Sequence, residues 1–182
     1  MEIVSLGSNC AVAYQLKELQ LRNQAYPFDW AKVSLNSLIK VLENNFTDYC
    51  QVTIKKLSEN HLMLDTKEPS YLVANRYGIT MAHEIVDQQN LDLFASFLIR
   101  RVERFKKLDN PKFVRLETAN LSPEQMVGYN KLVELLDKYF TSYQLIVISK
   151  INPINPKIKW IKLGSFDERW QYPELDWSNI FI

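Results

Sequence analysis

The chain has 182 residues, 47% of them hydrophobic and 24% charged, which suits a single globular domain over 1–182 and excludes disorder, coiled coil and collagen-like order. At this length enough surface is buried on folding that no disulfide or structural metal is required. The 22 basic and 21 acidic residues leave a formal charge of +1, with no like-charged block of the kind that binds nucleic acid.

Met1-Glu2-Ile3-Val4 carries an acid where a secretory signal would be basic, and the uncharged stretch from Ile3 to Leu16 is too short to span a bilayer. A cytoplasmic chain with no membrane partner is therefore expected, with Cys10 and Cys50 kept as thiols. Ile3 to Leu6 reads as a strand, Gly7-Ser8-Asn9 as a tight turn, and Cys10 to Leu19 as a helix. After Tyr26-Pro27-Phe28-Asp29-Trp30, Ser34 can cap a second helix, with Leu35, Leu38, Ile39, Leu42 and Phe46 at three- and four-residue steps. Val52/Ile54, Leu62-Met63-Leu64, Tyr71-Leu72-Val73 and Ile79-Thr80-Met81 are short runs that suggest small strands.

Leu91, Phe94, Leu98, Val102 and Phe105 mark one face of a long helix ending near Asn110-Pro111, and a strand from Lys112 to Leu116 follows. Ser122-Pro123-Glu124-Gln125 combines a cap, a first-turn proline and a glutamine three residues on, predicting a helix from Pro123 to about Tyr139. Leu145 to Ile148 reads as a strand buried on both faces. Asn152-Pro153-Ile154-Asn155-Pro156 then breaks the chain before a last strand from Ile158 to Leu163. This alternation predicts an α/β fold, with a mostly parallel central sheet, helices on both faces and an irregular insertion of short strands in the middle. Ligands in such sheets sit at the carboxyl ends of strands, where Gly7 to Cys10 lies.

Cys10, at the start of a helix after a strand, is placed where the helix dipole and free amides favour a thiolate. The same residue beside Ala11 and Val12 also suits a small buried hydrophobe. The amides from Asn9 to Ala11, with the Asn9 side chain, are candidates to hold an oxyanion, and Ser8 is a further candidate for that site or for substrate. A thiol nucleophile needs a base, and the chain has two histidines: His61 in a polar turn, and His83 at the end of the Gly78–Ala82 run, with Glu84 and Asp87 after it. Asp29, among aromatics, either orients that histidine or anchors its own loop; Glu117 and Asn120 are alternative orienting groups. Arg100 and Arg101 suit a solvated helix edge, and Arg101 is also a candidate to bind an anionic substrate group. Walker, Gly-x-Gly-x-x-Gly and zinc spacings are absent, so no metal or cofactor is expected. The aromatic end, Trp160 to Phe181, suits core covering better than base stacking.

Ser5-Leu6-Gly7-Ser8-Asn9-Cys10-Ala11-Val12-Ala13-Tyr14-Gln15-Leu16, then Leu21-Arg22 and Tyr26-Pro27-Phe28-Asp29-Trp30, resemble an uncharacterised family described as papain-like cysteine peptidases. The likeness continues more faintly through Tyr77-Gly78-Ile79, His83-Glu84-Ile85 and Arg100-Arg101 to Phe105. It implies Cys10 as nucleophile and His83 as general base. The chain lacks the Cys-Gly-Ser-Cys-Trp signature and the preceding glutamine of well-studied papain-like enzymes, and its thiol follows a strand of a parallel sheet. The expected activity is thus a cysteine hydrolase or acyltransferase acting on a peptide or a small acyl or glycan substrate. Two other readings stay open: an SGNH-like esterase using Ser8, whose late Asp-x-x-His is missing from Phe166-Asp167-Glu168-Arg169, and a non-catalytic module binding a ligand or partner. The oligomeric state is not legible in the sequence.

Overall fold

The computed structural model describes residues 1–56, 71–81, 89–164 and 169–182. The run Leu62 to Leu64 lies outside them. Four strands form the main sheet: β1 (Ile3–Ser5), β6 (Lys112–Leu116), β7 (Gln144–Ser149) and β8 (Ile158–Lys162), in that order and all parallel. Both central strands are buried on both faces: every residue of β6 is buried, Lys112 and Arg115 among them, as is β7 from Leu145 onward, where burial makes Leu145 to Ile148 a continuous apolar run. Phe113, Leu145 and Val147 face a larger core; Val114, Leu116, Ile146 and Ile148, one residue out of step, face a smaller one.

The larger core is closed by α2 (Leu35–Glu43), α3 (Leu91–Lys106) and α5 (Gly128–Tyr139), and the smaller by α1 (Ala11–Glu18) and α6 (Trp177–Phe181). A separate antiparallel sheet in the middle of the chain runs β2 (Ala31–Lys32), β5 (Thr80–Met81), β4 (Tyr71–Asn75), β3 (Val52–Lys56). The fold class read from the sequence is the one observed, with β2 as an addition too short to leave a pattern. Among the described residues no helix is long and apolar enough to cross a membrane.

Local signals act as expected at two helix starts. Ser34 Oγ accepts from Ser37 N at 3.1 Å, and Ser122 and Gln125 bond reciprocally, Gln125 N to Ser122 Oγ at 3.3 Å and Ser122 N to Gln125 Oε1 at 2.8 Å. The helix expected from Pro123 to Tyr139 is divided, however, into α4 (Pro123–Met126) and α5. The division falls at Val127, next to Gly128, a weak helix former at which a Cβ would lie 3.1 Å from Leu35 Cδ2 of α2.

Candidate functional site

β1 delivers the chain to a turn at the carboxyl end of the parallel sheet. Leu6 N still donates to Val114 O at 3.0 Å, but Gly7 and Ser8 then take left-handed conformations, φ +74° and +79°. Glycine is required at the first position on two counts, since a Cβ there would stand 2.6 Å from Val33 Cγ2 besides being strained at that φ. Ser5 Oγ accepts from Gly7 N at 3.1 Å, and Asn9 Oδ1 accepts from Ala11 N at 2.9 Å, so short polar side chains fasten both ends of the turn. Cys10 follows with helical dihedrals, φ −83° and ψ −8°, and its carbonyl accepts from Tyr14 N at 2.9 Å. The thiol is half-buried at the cap of α1.

Ser8 is a non-glycine residue held in a region that costs an L-residue about 1–2 kcal/mol, so something must hold it there. Its hydroxyl donates to Glu117 Oε1 at 3.4 Å and accepts from Thr118 N at 3.5 Å. Glu117, just past β6, is saturated. Its Oε2 accepts from Arg115 Nε (3.0 Å), Arg115 Nη2 (2.7 Å) and Tyr129 OH (3.2 Å), and its Oε1 also accepts from Ala119 N at 3.3 Å. Arg115, fully buried, donates in addition to Leu6 O at 2.9 Å and Val33 O at 3.0 Å. Sequence reading missed Arg115. Its signal was a basic residue between Val114 and Leu116 in a strand, two positions before an acid and hence on the same strand face.

Burial pushes the Cys10 thiol up to about 11. Desolvation thus opposes the helix N-terminus that favours a thiolate. A thiol of that pKa is roughly one part in ten thousand thiolate at pH 7, so reactivity needs a base against it. The Ala11 N–H is taken by Asn9, whereas among the described residues the N–H groups of Ser8, Asn9 and Cys10 have no hydrogen-bond partner. Those three amides, at the head of α1, form a donor set of the kind that stabilises an oxyanion.

The remaining candidates fall elsewhere. Asp29 is buried, its Oδ2 accepting from Tyr26 N at 3.0 Å and from Arg22 Nε and Nη2 at 3.3 and 3.2 Å. Burial raises its pKa, against the pull of the Tyr26 amide, Arg22 and the charge of Arg101 on α3. These bonds make Asp29 the clamp of the Tyr26–Trp30 loop, one of the two roles the sequence left open. Arg101 is buried rather than solvated, with its charge acting on Asp29 and on the Tyr49 hydroxyl. Asn120 Oδ1 accepts from Lys150 Nζ at 3.1 Å. His61, His83, Glu84, Asp87 and the Phe166–Glu168 stretch lie outside the described residues. The aromatic end does cover the core: Trp177 and Phe181 are buried, and Trp170 packs edge-on against Tyr14 at 5.2 Å. Among the described residues no three His, Cys, Asp or Glu side chains group as a metal site.

The turn, the thiol and the loop clamp coincide with a family pattern. Residues 1–144 match the family described as "Putative papain-like cysteine peptidase (DUF1796)". The chain is also 26% identical over 220 aligned positions to the uncharacterized protein R408 of Acanthamoeba polyphaga mimivirus, covering 98% of this chain and 96% of the viral one. No solved structure matches significantly. The family match spans well over half of the chain, and the protein belongs to this papain-like cysteine peptidase family.

Proposed function

We propose that the protein is a cysteine-dependent hydrolase or acyltransferase of the cytoplasm, with Cys10 as nucleophile and His83 as general base, acting on a peptide or a small acyl or glycan substrate. The observation that carries this reading is the left-handed Gly7–Ser8 turn, which ends a parallel strand and sets Cys10 at a helix head with three amides that have no partner among the described residues. Burial alone pushes the thiol up to about 11, so this chemistry requires His83 to take the Sγ proton. The Sγ proton passes to His83 as Sγ bonds to the carbonyl carbon of an amide, ester or thioester. The oxyanion is held by the Ser8 to Cys10 amides; its collapse breaks the bond to the leaving group, which takes the proton back from His83. Water, or an acceptor amine or alcohol, then releases the acyl group from sulfur.

Ser8 is disfavoured as a nucleophile because its hydroxyl is buried and donates to Glu117, a carboxylate already engaged by Arg115, Tyr129 and Ala119 N. Intact-mass spectrometry after exposure to p-nitrophenyl acetate and a panel of thioesters tests the proposal. One acyl group on Cys10, slower in His83→Ala and absent in Cys10→Ala, is expected. Acylation at Ser8, or none beyond that at Cys50, would overturn it.

A further inference from the structure

The Arg115–Glu117 pair does more than fill the core. Three chain segments converge on it at the carboxyl end of the sheet: the β1–α1 turn through Leu6 O and Ser8 Oγ, the β2–α2 link through Val33 O, and the β6–α4 link through Ala119 N. Val33 is also the residue against which Gly7 packs. Tyr129 of α5 closes the cluster from the remaining side. A buried ion pair is a weak source of net stability but an effective source of fixed geometry, because any other arrangement strands a charge. Here the geometry it fixes is that of the residues immediately before the thiol.

We propose that Arg115 and Glu117 are positioning residues for Cys10: they hold Ser8 in its left-handed conformation and thereby set where the Cys10 thiol sits and how far it is buried. The proposal builds on Cys10 as nucleophile and assigns Glu117 a role other than orienting the imidazole, since both of its oxygens are already engaged. It makes Ser8 the link between the pair and the turn.

The test is the pH dependence of iodoacetamide alkylation at Cys10 and Cys50, mapped by mass spectrometry in wild type, Glu117→Gln and Ser8→Ala. Burial also pushes the Cys50 thiol up to about 11, and it serves as the internal control. Releasing the turn is expected to move the Cys10 midpoint by about one pH unit or more toward that of an ordinary thiol, about 8.5, and to leave Cys50 unmoved. The wild-type midpoint reports separately on the nucleophile: below 8 with an imidazole partner, near 11 with burial alone. In either case the variants converge on the free-thiol value if the pair positions Cys10. Should Glu117→Gln fail to fold, Ser8→Ala removes only the hydroxyl link and carries the same expectation. A Cys10 profile that coincides with wild type in a folded variant overturns the proposal. So does a parallel shift of both cysteines, which marks general loosening.

Discussion

Gly7→Ala is the sharpest perturbation of the turn that carries the thiol. Two separate costs add at that position. An L-residue at φ +74° costs about 1–2 kcal/mol, and the new Cβ would stand 2.6 Å from Val33 Cγ2 and 2.8 Å from Val33 Cβ. Both Val33 atoms belong to a stiff β-branched side chain that is 1% exposed, so the overlap must be relieved by backbone movement, an overpacking cost of about 1–3 kcal/mol. The sum, about 2–5 kcal/mol, lowers Tm by roughly 4–20 °C for a chain of this size. Gly78→Ala is the matched control: φ is +72° but nothing lies within 4 Å of its Cβ, so only the backbone cost of about 1–2 kcal/mol applies. Urea denaturation of both variants, with Gly7→Ala repeated in a Val33→Ala background, separates out part of the overlap, because the double variant keeps the strain and the 2.8 Å approach to Cβ but loses the 2.6 Å approach to Cγ2. Equal destabilisation by Gly7→Ala and Gly78→Ala would refute the close approach of turn and Val33.

Other outcomes follow from the same geometry. Asp29 has a folded pKa above its unfolded value, so its ionisation opposes folding: its contribution to native stability is fully present below about pH 3.9 and is lost as pH rises from there through the folded value. Asp29→Asn removes this slope, and the difference between wild-type and variant melting temperatures across pH 3–7 should change sign-consistently with it; parallel curves would contradict the assignment. Ser122→Ala deletes the acceptor for Gln125 N and should cost about 1 kcal/mol, measured by chemical denaturation. Cys10→Ala removes a half-buried thiol with no described bond to its side chain, and should retain cooperative unfolding while losing acyl transfer.

What was legible in the sequence divides along physical lines. β7 announced itself because burial on both faces demands an unbroken apolar run, Leu145 to Ile148, and Ser122 and Gln125 because a capping box is local. The turn before Cys10 was visible for the same reason: Gly7 punctuates a strand. The support beneath the turn was not, since Arg115 meets Leu6 O and Val33 O across 109 and 82 residues of chain, and no local pattern encodes such bonds. Asp29 and Arg101 were read as possible site groups from residue type, but both are drawn into the larger core around the Tyr26–Trp30 loop. The thiol itself shows how one sequence feature carries two opposed effects. A helix start favours the thiolate while burial beside Ala11 and Val12 disfavours it, and only the packed structure shows how far the thiol is buried.

The central claim is that Cys10 is a nucleophile served by His83. Iodoacetamide alkylation of Cys10 as a function of pH, in wild type and His83→Ala, tests it most directly. The account predicts a wild-type midpoint well below the value near 11 that burial alone imposes, and a return toward that value when the imidazole is removed. Identical profiles in the two proteins, whatever their midpoint, would contradict it.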